Sequence, residues 1–157
     1  MDLKFSFGGA SPDHGHEARG RGDAPSGIPL PFSTVPPRST SGVLEVRVRR
    51  SADGVTASAV TGDGVVYCDA EAPVRGEGSA ALARAVRSAA SRAVAALEGP
   101  LADSVTGLVL GLDGEESAVL DEFGIVADAD AEQAAAVDEG LQRRIGVAAG
   151  TPIRFER

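Results

Sequence analysis

A chain of 157 residues with one cysteine, 4% aromatic residues and no tryptophan has room for one ordinary core. It excludes an internal disulfide framework, a cysteine-rich zinc site and an aromatic platform for single-stranded nucleic acid. The formal net charge of −8 falls entirely in residues 41–157, which hold 11 basic and 19 acidic side chains, so the domain repels phosphate backbones and a nucleic-acid partner is not expected.

Residues 1–42 read as a disordered arm. The first 40 residues hold 6 of the 9 prolines and 6 of the 20 glycines, with no apolar period. The start, M-D-L-K-F-S-F-G-G-A, lacks the apolar stretch of an export signal, and no run reaches the roughly 18–20 apolar residues of a membrane span. A cytoplasmic protein with no membrane partner is the expectation. His14 and His16 have no third ligand nearby, so no metal site is expected there. Arg21-Gly22-Asp23 reads as a chance match to an adhesion tripeptide. The apolar segment Ile28–Phe32, interleaved with proline, is a candidate for docking on a partner or on the domain itself.

The domain is expected over residues 43–157. From Val43 to Arg50, Leu44, Val46 and Val48 alternate with Glu45, Arg47 and Arg49, which predicts a strand. Asp53-Gly54 predicts a tight turn, Val55–Thr61 a second strand, Gly62-Asp63-Gly64 another turn, and Val65–Ala72 a third strand ended by Pro73. Cys68 falls in this strand as a buried, inert thiol. Ser79 is the expected cap of a helix with Leu82, Val86, Ala89, Ala93 and Leu97 on one face, stopped by Gly99-Pro100. Val105–Leu112 reads as a central strand buried on both faces, Val109 included, and parallel to one already in the sheet. A small hairpin is expected over Ala118–Val126. Asp130 is the expected cap of a second helix striped by Ala134, Val137, Leu141 and Ile145. Thr151–Glu156 is the last strand.

This β-β-β-α-β-α-β order is the plan of a ribonuclease H-like α/β domain with a mixed sheet. With Val60–Val66, Val105–Gly111 and Val119–Gly124, the chain resembles the N-terminal half of FGGY- or ROK-type carbohydrate kinases, within the superfamily of sugar kinases, hexokinases and actin. That resemblance implies a phosphate loop reading D-x-G-T after the first strand. The chain has Arg49–Gly54 there and no such motif, nor a second lobe, so a working kinase is not expected. Gly111–Arg157 is also similar to Holliday-junction-resolvase-like nucleases, which hold paired Mg²⁺ between carboxylates. In that reading Glu45, Asp113 and Glu156 are the catalytic candidates.

The leading expectation is a non-catalytic interaction or regulatory domain without cofactor or metal, a degenerate stand-alone relative of a kinase half. A metal-dependent nuclease is the second. A small-molecule binding module using the Gly111–Glu116 loop, with Gly111, Asp113, Gly114 and Glu115 as its candidate residues, is the third. The polar positions Glu45, Arg47, Arg49, Thr56 and Ser58 share one sheet face. They read either as charge pairing between solvated neighbours or as a face for an acidic protein or ligand.

Overall fold

Alternation places Val46 and Val48 on one side of β1 (Leu44–Arg50), where both are fully buried, while Arg47 and Arg49 take the other side. β2 (Gly54–Thr61) and β3 (Val66–Pro73) complete an antiparallel meander, with Val46 opposite Ala59 and Val48 opposite Ala57. The computed structural model describes residues 39–157. The His14–His16 pair, Arg21-Gly22-Asp23, Ile28–Phe32 and nearly all of the expected arm lie outside the described residues. The first turn closes through reciprocal backbone bonds between Ser51 and Gly54, and the second is held by Thr61, whose N–H donates to the Val65 carbonyl. Gly64 sits there at φ +83°, a left-handed conformation that favours glycine.

α1 (Gly78–Ala95) packs across β1, β2 and β3. Leu82, Val86, Ala89 and Ala93 face the sheet as their spacing requires, and Leu97 is buried just past the helix. Two details differ from expectation. The cap is Glu77, while the Ser79 hydroxyl donates to the Glu122 carboxylate. The helix ends at Ala95, and Gly99-Pro100 opens a separate 3-10 turn over Gly99–Ser104.

β4 (Gly107–Gly111) runs parallel to β1, as expected of a strand reached through a helix. It is fully buried on one face and only partly on the other, where Gly107 is buried but Val109 and Gly111 are half-buried. Leu108 and Leu110 point into the core; Val109 is half-buried between Arg47 and Arg154.

The next segment corrects the hairpin expectation. Glu116–Glu122 is a helix, α2, with Glu116, Val119 and Leu120 buried at helical spacing, and Gly124 turns the chain at φ +78°. The second long helix is also corrected. Ala135–Ala136 form a short strand, β5, and the helix α3 covers only Glu139–Ile145. Asp138, not Asp130, is its cap, accepting from the Leu141 N–H at 2.6 Å. Pairing of Ala135 with Ile153 overrides the helix preference of the alanine run. β6 (Pro152–Phe155) is parallel to β4.

The result is a mixed α/β fold with an open sheet of order β3-β2-β1-β4-β6-β5. α1 lies on the core face, with α2 and α3 packed against it. Among the described residues no helix covers the opposite face. No helix among them is long and apolar enough to cross a membrane.

β3 borders the sheet, with Asp69 and Glu71 exposed. The Arg92 guanidinium of α1 donates to the Glu71 carbonyl at 3.0 Å, and Pro73 at the strand's end carries no N–H. Cys68 is half-buried rather than buried; its thiol donates to the Ala93 carbonyl, and burial pushes its pKa up.

Candidate functional site

On the uncovered face, the outer strands of the parallel trio carry opposite charge patterns. β1 presents Glu45, Arg47 and Arg49, and β6 with its flank presents Arg154 and Glu156. β4 lies between them, so these side chains must cross two strand spacings, about 10 Å. They meet over the glycines of β4. Arg154 Nη2 reaches Glu45 Oε1 at 3.2 Å above Gly107, and Arg49 forms a bidentate pair with Glu156 above Gly111, with Nε to Oε2 at 2.8 Å. A side chain at either glycine would occupy the room these pairs use. Arg47 adds a second guanidinium to Glu45, with Nε and Nη2 at 3.1 and 3.0 Å from Oε2. Glu45 is thereby 8% exposed on an otherwise open face.

Arg49 and Glu156 respond to each other. The hydrogen bond from Arg49 holds the Glu156 carboxyl below its ordinary range against the opposing effect of burial, with the charges of Arg49 and Arg47 adding to it. A carboxyl depressed in the folded state contributes stability above its unfolded pKa, lost as pH falls through the folded one. The side chains are 56% and 34% exposed, so solvent screening keeps that contribution at the low end of about 0–1 kcal/mol. Arg49→Ala is expected to return Glu156 toward the ordinary glutamate range in a carboxyl-carbon NMR titration. An unmoved midpoint would show that the pair does not form in solution.

A cleft of about 490 Å³ opens at the carboxyl ends of β1, β4 and β6, lined by Arg49, Arg50, Gly111, Asp113, Glu116 and Glu156 among others. Asp113 stands in its loop at φ +58°, followed by Gly114 at +95°. The loop is tied down by Glu116, whose Oε1 accepts from the Leu112 N–H at 2.6 Å and the Gly114 N–H at 3.4 Å.

Of the nuclease candidates, Asp113 and Glu156 share this cleft, while Glu45 lies two register rows away on β1 beside Arg154. Among the described residues no group of three or more His, Cys, Asp or Glu side chains is placed to hold a metal ion. Of the ligand-binding candidates, Gly111, Asp113 and Gly114 line the cleft; Glu115 turns to a neighbouring one with Arg50 and Leu82. Sequence reasoning missed Arg154, and it placed Glu116 only at the end of the candidate loop without the role of its carboxylate in holding that loop. Their signals were present: a glutamate just after an Asp-Gly turn, and glycines four apart in an apolar strand.

Comparison with protein-family models, curated proteins and solved structures finds no match to this chain.

Proposed function

We propose that the chain is a non-catalytic interaction domain on a ribonuclease H-like plan, a stand-alone relative of a kinase half-domain that works through its uncovered sheet face. With the two-residue β5 set aside, the order β3-β2-β1-β4-β6 supports that plan, as do the antiparallel meander and the two strands parallel to β1.

The observation that carries the non-catalytic reading is the engagement of two of the three candidate carboxylates. Glu45 is held by Arg47 and Arg154, and Glu156 by Arg49. A metal would have to displace guanidiniums already bonded there. The first turn argues the same way for phosphate: the Ser51 and Gly54 N–H groups are spent on each other's carbonyls.

The test is an assay of the purified chain with Mg²⁺ or Mn²⁺ on branched and single-stranded DNA, and with ATP and sugars. No cleavage and no turnover are expected. Metal-dependent cleavage that disappears in Asp113→Asn would overturn the reading in favour of a nuclease; asparagine tolerates the left-handed backbone at that position.

A second reading, a small-molecule binding module, rests on the place of the 490 Å³ cleft. It opens at the carboxyl ends of the parallel strands β1, β4 and β6, beside the point where the strand order switches from the β2 side of β1 to its β4 side, the usual site of ligands in open α/β sheets. A rise in melting temperature with nucleotide or sugar would move the function there.

A further inference from the structure

We infer that the uncovered face takes an extended acidic segment of a partner protein, laid along a groove above β1 and β2. The inference rests on the interaction-domain reading and names the partner's chemistry.

The groove is about 480 Å³ in volume. Arg47, Arg49 and Arg50 line one side, Thr56 and Ser58 the other, and Val60 and Val66 an apolar end. Among the described residues no carboxylate lines it, although residues 41–157 are strongly acidic overall. Val66 is 51% exposed.

The arginines are set for a ligand in a specific way. Arg47 and Arg49 each use Nε and Nη2 on a carboxylate of their own sheet. Each leaves Nη1, with its two N–H donors, outside that pair. Glu45 and Glu156 therefore fix the orientation of guanidiniums that still have donors to offer. Arg50 is exposed and has no ion pair among the described residues.

Spacing selects an extended ligand. Arg47 and Arg49 stand two residues apart on one face of a strand, about 6.6 Å. Alternate side chains of an extended peptide repeat at the same distance. Arg47 turns its guanidinium back toward Glu45 and Arg49 carries its own toward Glu156, so carboxylates on alternate residues of an extended chain would meet them one after the other, with Thr56 and Ser58 as further donors and the apolar end receiving a neighbouring aliphatic side chain.

The surroundings limit the partner's width. Asp69 and Glu71 stand on the β3 side of the groove, paired with Ser58 and Thr56. Glu45 and Glu156 stand on the β4 side. A broad polyanion such as a nucleic-acid duplex would meet these carboxylates, whereas a single extended chain fits between them. Among the described residues no aromatic ring lines the groove to stack a base.

The test is fluorescence anisotropy on the full chain with a labelled octapeptide of alternating glutamate and valine. An alternating lysine-valine octapeptide and an oligothymidylate serve as competing classes. Saturable binding of the acidic peptide alone is expected, weakening as salt is raised. Arg50→Ala and Arg47→Ala are each expected to lower its affinity by about three- to tenfold. Arg50→Ala should keep the parent's melting curve, because the Arg50 side chain makes no hydrogen bond or ion pair among the described residues and its backbone pairing with Val55 is unchanged. Absence of saturable binding, affinity unchanged in both variants, or tighter binding of the oligothymidylate would each overturn the inference. Failure of the peptide with no catalysis in the DNA and ATP assays removes this ligand and leaves the non-catalytic reading standing; catalysis removes that reading whatever the peptide does.

Discussion

Leu110→Asp is expected to leave no soluble, cooperatively folding protein. Leu110 is 1% exposed and pairs in register with Val48 on β1 and Phe155 on β6. An aspartate there would face Val, Leu and Ile side chains with no donor to meet it, at a cost on the order of several kcal/mol. A domain whose whole stability is about 5–15 kcal/mol does not absorb that loss. Soluble yield and a far-ultraviolet circular dichroism melt measure the outcome. The neighbouring change Val109→Asp is the control. Its side chain would emerge between Arg47 and Arg154 on the uncovered face, so a folded protein close to the parent's stability is expected. If both variants unfold, the second face is covered after all; if both fold, β4 does not sit at the centre of the core.

Glu116→Ala is expected to cost about 1.5–3 kcal/mol in urea unfolding, the range for losing a buried hydrogen bond to a charged group. Leu112 is fully buried, and its N–H has the Glu116 carboxylate as its acceptor. Removing the carboxylate strands that donor and releases the Asp113–Gly114 turn together with the start of α2. Glu116→Gln retains an acceptor oxygen and should recover most of the loss. Equal losses in the two variants would mean that the side chain's bulk, rather than its hydrogen bonds, holds the loop.

The meander was legible in the sequence because alternating valines and charges from Leu44 to Arg50 have one physical reading, and Asp-Gly turns bound it. α1 was legible because its stripe repeats over 18 residues. α2 was not: at seven residues it is too short to establish a period, and Asp121–Gly124 resembles a turn. β5 was illegible for the opposite reason. An alanine run favours helix locally, and only its pairing with Ile153 and Pro152 makes it a strand.

The polar face was legible as a set of positions on β1 and β2, and its partners were not. Glu45 and Arg154 are 109 residues apart, Arg49 and Glu156 107, and their meeting depends on β6 lying beside β4. Once that order is known, the two glycines of β4 explain why the pairs can close over it.

The borders of the sheet bear on how copies of this chain behave when crowded. An exposed strand edge ordinarily templates further strands and, through them, fibrillar growth. A strand arriving at β3 meets an acceptor already occupied by Arg92, a missing donor at Pro73, and the like charges of its own Asp69 and Glu71. At the other border β5 offers only two residues, too few to nucleate a ladder. Among the described residues both borders of the sheet are thus poor templates for a further strand, and neither spends any residue of the Arg47–Arg50 groove.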